Sequence, residues 1–404
     1  MCHCAHRFHS PRSHRLTRVK AGISALPAAI EPTSWSFFTI GDWGSGKQNQ
    51  SQVAATMGTW GNLYQPHFVV ALGDNIYEEG VESVVDPLWT SRYCSVYTDP
   101  SLLDIPWYAI LGNHDYYSGH SEAQIEYYRE RMDPAQRWVM PDHYYTFRWP
   151  DVGGGRSLQI VFLDTIQLAD DTYRRVLRED VEEGHAPPRA LRQVEEEGTE
   201  EEREEERPPT GVRKKGTRKE EKEGWGGGGV KEARAKRKQA QLDWLEATLA
   251  ASTADWLLVA GHFPVYSAGH HGDTPELQRD VRPLMQKYNV DAYLCGHDHN
   301  LEYLLDAPEG EGVSYFVSGS GGQDVYGVKK TRETVFAVAE SGFMHHAFLK
   351  GGKEMRVDVV NRDGQVLLSK TLRQKRKQTV TGKGGGAGVI GGDDGMIVEV
   401  KHSV

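Results

Sequence analysis

Phe68-Val69-Val70-Ala71-Leu72-Gly73-Asp74-Asn75-Ile76-Tyr77 is the stretch that decides the fold of this chain. An unbroken apolar run of this length reads as a strand buried on both faces. It stops at a glycine, which permits a tight turn, and a carboxylate follows at once. The same order recurs elsewhere. Trp35-Ser36-Phe37-Phe38-Thr39 runs into Gly41-Asp42-Trp43-Gly44, and Trp107-Tyr108-Ala109-Ile110-Leu111 into Gly112-Asn113-His114-Asp115. Later, 256–260 leads to Gly261-His262, and 292–295 to Gly296-His297-Asp298-His299. One such dipeptide is an ordinary turn. Five in a fixed order, carrying seven oxygen or imidazole ligands, point to one two-metal centre at strand ends.

Around these motifs the pattern alternates. Ser51 to Tyr64 has helical spacing at Val53, Met57, Trp60 and Leu63, and further strands are expected at 144–148, 158–163 and 313–317. Val335 to Leu372 reads as a β-meander with turns at Gly351-Gly352 and Asp363-Gly364. Strand and helix in alternation, followed by a strand-rich half, predict a layered α/β sandwich. Open α/β sheets bind ligands at the carboxyl ends of their strands, where these motifs lie.

The 404 residues suffice for one large domain with extensions. A net charge of -10 and a pI near 6.0 argue against a nucleic-acid-binding surface. Residues 34–374 are expected to form the catalytic domain. A low-complexity charged insertion at about 178–238 interrupts it, acidic through Glu195 to Glu206 and mostly basic from Arg213. Such a segment buries too little apolar surface to offset its ordering entropy, so disorder is expected there. Helical order should resume near Gln241-Leu242-Asp243-Trp244-Leu245. A Gly-rich tail at 378–404 is expected to be disordered too. The first 33 residues, basic and without an acidic side chain before Glu31, read as a disordered or transit-like extension. No apolar run is long enough for a membrane span. The four cysteines are too few for a disulfide scaffold.

Tyr77 narrows the chemistry. A phenolate is a hard anionic ligand that favours a trivalent ion, of which Fe(III) is the common biological one. Three residues after Asp74, its oxygen can reach the same metal.

With these motifs the chain resembles the purple acid phosphatases, especially the small tartrate-resistant type, within the calcineurin-like metallophosphoesterases. Trp43, Asn49-Gln50-Ser51 and Ser267-Ala268-Gly269-His270-His271-Gly272 add to the resemblance. It implies a four-layer αββα sandwich of two mixed sheets. It also implies that Asp42, Tyr77 and His299 hold Fe(III), that Asp74 bridges, and that Asn113, His262 and His297 hold a divalent Fe, Zn or Mn. His114 and His271 would face the phosphate, with Asn113 also on the substrate side, and His270 ranks below His271. Asp115 and Asp298 would act as turn or supporting residues, and Asp164 as a support for the site.

The implied reaction is acid hydrolysis of phosphate monoesters, free or on proteins, by attack of a metal-bound hydroxide, with no phosphoenzyme. A divalent-metal phosphodiesterase or nucleotide hydrolase of the same fold is the alternative, and an inactive interaction scaffold a more distant one. A monomer is expected. The family implies a secreted, vacuolar or lysosomal setting, which the basic, transit-like start does not match. The chain also lacks the two cysteines that animal members pair: Leu168 and Asp273-Thr274-Pro275-Glu276 stand in that region.

Overall fold

A computed structural model describes residues 35–169 and 227–375, with strand residues 390–391 and 397–399. Expectations for 1–33, for 178–226 and for the rest of the 378–404 tail fall outside the described residues. Strands β1 (Ser36–Ile40), β2 (Val69–Ala71), β3 (Trp107–Ala109) and β4 (Trp138–Val139) pair in parallel. A second run comprises β5 (Tyr145–Trp149), β6 (Leu158–Phe162), β7 (Trp256–Ala260), β8 (Ala292–Cys295), β9 (Leu301–Leu305) and β10 (Ser314–Ser318). Its centre, β6-β7-β8-β10, is parallel, flanked by antiparallel β5 and β9.

The last strands are β11 (Thr334–Val338), β12 (Gly342–Leu349), β13 (Glu354–Asn361), β14 (Val366–Arg373), β15 (Ile390–Gly391) and β16 (Ile397–Glu399). They do not form one meander. β11 pairs with β9 in the nine-stranded sheet, whereas β12 pairs with β1 and leads β13 and β14 into the seven-stranded one. The chain crosses between sheets in the few residues after Val338, a step that no local periodicity announces. Parts of the expected tail are also strands, since β16 pairs with β5 and covers its open edge.

Helices α1 (Gln48–Tyr64), α2 (Pro100–Leu103), α3 (Asn113–Tyr116) and α4 (Glu122–Arg129) precede α5 (Thr165–Leu168), α6 (Gly227–Ala251), α7 (Pro275–Asp280) and α8 (Arg282–Lys287). The start of α6 differs from expectation, lying well before Gln241. Gln241, Leu245 and Leu249 are buried and seed the helix, and Lys238 ties it to Asp280 at 2.9 Å. Good helix formers such as Ala235 and Lys236 then let it propagate backwards.

Three apolar layers hold the molecule. Phe37, Val70, Leu72 and Tyr108 of one sheet meet Ile160, Leu258, Leu294 and Phe316 of the other. The alternate residues Phe38, Ile40, Val69 and Ala71 pack under Val53, Met57 and Trp60 of α1. Leu257, Val259, Tyr293 and Tyr315 pack under Leu245 and Leu249 of α6 and Met285 of α8. The result is the four-layer αββα sandwich, and burial on both faces is why the strands read as continuous apolar runs. No helix among the described residues is long and apolar enough to cross a membrane.

Candidate metal centre

β1, β2 and β3 in one sheet, and β7 and β8 in the other, end at the same rim, so the turns after them converge. The turns are tight enough to force unusual backbone. Asp42, Asp74 and His297 adopt positive φ values of 57°, 49° and 71°. Each costs a non-glycine residue about 1–2 kcal/mol. The glycines answer to close approach. A Cβ on Gly112 would lie 2.1 Å from Asp74 Oδ1, and one on Gly296 2.5 Å from Asp42 Oδ2.

All seven expected ligands come together, and all are buried. Tyr77 Oη donates to Asp42 Oδ1 at 3.0 Å or Asp74 Oδ2 at 2.9 Å, and stands 3.3 Å from His299 Nε2. His299 Nε2 lies 3.4 Å from Asp42 Oδ1, and His262 Nε2 lies 3.4 Å from Asp74 Oδ1. His262 Nε2 is also 3.1 Å from Asn113 Oδ1. Donor atoms of Asp42, Asp74 and His262 fall within 4.8 Å of one another. The far nitrogens of two imidazoles meet backbone carbonyls: His262 Nδ1 at Leu72 (2.8 Å) and His299 Nδ1 at Asp324 (2.9 Å). Such bonds turn Nε2 inward.

The electrostatics suit a cation. Burial alone would raise the Asp74 carboxyl, but His262 and His114 hold it well below the usual range. Burial and the charges of Asp42 and Asp74 push the Tyr77 phenol well up. Burial would lower His262, yet Asp74 brings it up to about 9. His297 is driven well below the usual imidazole range by burial and by the other histidines, and its Nε2 is buried without a hydrogen-bond partner. A neutral imidazole with an orphaned buried nitrogen, in a cluster with two carboxylates and a phenol, is a donor set that fits metal ions. Ions would replace the protons that Tyr77 and His262 otherwise keep.

The expected phosphate-facing histidines lie at the rim. His114 is bound through its backbone N–H to Asp74 Oδ1 (2.9 Å), and its Nδ1 meets Glu78 O (2.6 Å). His271 stacks on His297 at 4.3 Å, whereas His270 is exposed. Asp115 accepts from Gly112 N (2.8 Å), Asn75 N (3.0 Å) and Gln124 Nε2 (2.7 Å), which locks the turns after β2 and β3 together. Asp298 accepts from His271 N at 2.8 Å. Asp164 caps α5, while the next residue, Thr165, receives the backbone N–H of His262 at 3.1 Å.

Several supporting residues carried no sequence signal. Glu302 accepts from Ala268 N (2.7 Å) and so grips the His271 loop, with its carboxyl pushed up to about 7 by burial. His143 pairs with Asp164 at 3.1 Å, and Tyr117 accepts from Asn113 Nδ2 at 2.8 Å. Tyr117 and Glu302 each follow a motif closely, but no motif position includes either.

A profile of the calcineurin-like phosphoesterases matches residues 36–301, most of the chain. The chain belongs to that family. Its similar relatives are acid phosphatases. Tartrate-resistant acid phosphatase type 5 of Oryctolagus cuniculus is 30% identical over 84% of this chain and 91% of its own length. Purple acid phosphatase 17 of Arabidopsis thaliana is 32% identical over 73% and 72%. Among solved structures, the fold is shared with GAP50, described as the anchor in the inner membrane complex of Plasmodium. That match has a TM-score of 0.63 and 22% identity, over 86% of this chain and 90% of that one. It is shared too with the purple acid phosphatase PPD1 from yellow lupin seeds, at TM-score 0.51 and 16% identity, over 85% and 54%. Family membership makes this chain a metallophosphoesterase by descent, with phosphoesters as the implied substrates.

Proposed function

We propose that this chain is an acid phosphatase that hydrolyses phosphate monoesters at a Fe(III)–M(II) pair. Asp42, Tyr77 and His299 would hold the trivalent ion, Asp74 would bridge, and Asn113, His262 and His297 would hold a divalent Fe, Zn or Mn. The observation that carries the reading is the placement of Tyr77. Its buried hydroxyl lies within 3.3 Å of Asp42, Asp74 and His299 together, a setting in which a phenol stays protonated unless a strong cation takes the proton's place.

When bound, such a pair supplies Lewis acidity at a phosphoryl oxygen and a water acidic enough to attack at low pH. The chain's own residues do the remainder. His114, fixed at its backbone and at Nδ1, keeps Nε2 for a phosphate oxygen. His271, tethered by Asp298, holds a proton for the departing alkoxide. Asn113 serves the substrate side of the divalent position. The GAP50 likeness concerns fold alone, and an unbroken ligand set favours catalysis over a scaffold.

The visible absorption spectrum of the metal-loaded protein tests this. A broad charge-transfer band giving a purple or pink colour, absent in Tyr77→Phe, is the expected result. A colourless protein with both positions filled would sink the ferric reading. Diesters and nucleotides would then be assayed ahead of monoesters.

A further inference from the structure

Tyr117 stands two residues beyond Asp115, and nothing in the motif pattern singles it out. In the fold it meets two functional side chains at once. Its hydroxyl accepts from Asn113 Nδ2 at 2.8 Å. Its ring lies 4.6 Å from the His114 imidazole at 49°. Tyr77 closes on the same imidazole at 4.4 Å and 48°, so His114 is gripped between two phenol rings. Tyr117 is only 4% exposed.

A carboxamide has one donor end and one acceptor end. If Asn113 gives Oδ1 to a cation, its NH2 group must be buried behind, where an unmet donor is costly. Here Oδ1 faces His262 Nε2 at 3.1 Å, on the ligand side, and Nδ2 rests on Tyr117. We infer that Tyr117 is a positioning residue of the centre: its hydroxyl keeps the Asn113 oxygen towards the divalent ion, and its ring keeps His114 against Tyr77. The inference rests on the metal reading above and deepens it. The two contacts are separable, because the first needs the hydroxyl and the second only the ring.

Tyr117→Phe removes the hydroxyl and keeps the ring. The full chain, stripped of metal and refilled with Fe(III), would be titrated with Zn(II) by calorimetry. Outer partners of metal ligands are worth about 10- to 100-fold in affinity, so the Zn(II) Kd should rise about 10-fold. The ferric colour should stay, and KM for a phosphomonoester should barely move. Tyr117→Leu, which also removes the ring, should add a several-fold rise in KM through His114. Unchanged Zn(II) affinity in Tyr117→Phe overturns the inference. So does loss of colour together with zinc binding, since that marks collapse of the whole site. A wild-type protein that neither colours nor takes two ions defeats the metal reading itself, and this inference falls with it; the wild-type control separates that case from the others.

Discussion

His345 and His346 are neighbours in β12 and face opposite layers. His345 stacks near Tyr64 (4.8 Å) under α1, while His346 lies on Phe37 at 4.5 Å between the sheets and meets Thr39 Oγ1 at 3.1 Å. Burial, then the neighbouring His345, pushes His346 down to about 3. A depressed imidazole means that the unfolded chain binds more protons below its ordinary value of about 6.5. Stability is therefore full above that pH and drains away as the pH falls towards 3. The loss from His346 alone is about 2 kcal/mol at pH 5. His346→Phe, which keeps the stacking, should flatten the acid limb of melting temperature against pH. An equally steep limb in the variant would show that His346 stays uncharged for no energetic cost. For a chain proposed to work in acid, this residue sets part of the lower limit.

At the scale of elements, α3, α5 and α6 meet at Asp164. The carboxylate accepts from Ile166 N and Gln167 N at the start of α5, both at 3.1 Å, and the Tyr116 hydroxyl of α3 donates to it. Gln241 of α6 receives its N–H at 3.0 Å and returns a bond to its carbonyl at 3.1 Å. His143 completes the node. Burial would lower this imidazole, but hydrogen bonds to Asp164 and Glu122, and their charges, raise it to about 10. The sign is opposite to that of His346. A raised value gives stability that is full below about 6.5 and fades as the pH climbs towards 10. Glu122 is largely exposed and contributes little, so the buried Asp164 arm dominates. His143→Gln should cost about 2–3 kcal/mol at pH 6 and clearly less at pH 9, as read from denaturant unfolding. An equal loss at both values would remove the charge from the account and leave only packing. Because Thr165 beside this node holds His262, a loosened node should reach the centre as well.

The whole molecule is fastened at the same rim where the seven expected ligands converge. Asp42, Asp74 and Asn113 leave one sheet and His262 and His297 leave the other, so ions bound there would cross-link the two layers. Binding to the folded state alone adds about 2.7 kcal/mol at a hundredfold excess over Kd. Two ions add about twice that, and in a domain of this size each kcal/mol moves Tm by about 1–2 °C. Removing metal with a chelator should then lower Tm by roughly 5–10 °C in scanning calorimetry. An unchanged Tm would mean that the rim is held by its hydrogen bonds alone.

Much of this was legible along the chain. Apolar runs ending in Gly-Asp, Gly-Asn-His or Gly-His identify strand ends with tight turns, because a buried strand must be apolar and only glycine tolerates the close approach at Gly112 and Gly296. The seven side chains so marked are all buried. The partners were not legible. β1 pairs with β12 by matching Phe37 with His346, 309 positions away, and local periodicity holds no trace of such a pairing. The departure of β11 to the other sheet and the Asp164 node have the same origin, whereas the contact of Tyr117 with Asn113 is local, four residues along the chain. The sequence by itself determined which residues can bind metal and which runs must be buried, since both follow from side-chain chemistry and neighbours in the chain. Only the tertiary structure decided which side chains face one another, because that depends on how two sheets stack and on contacts with no short-range signature.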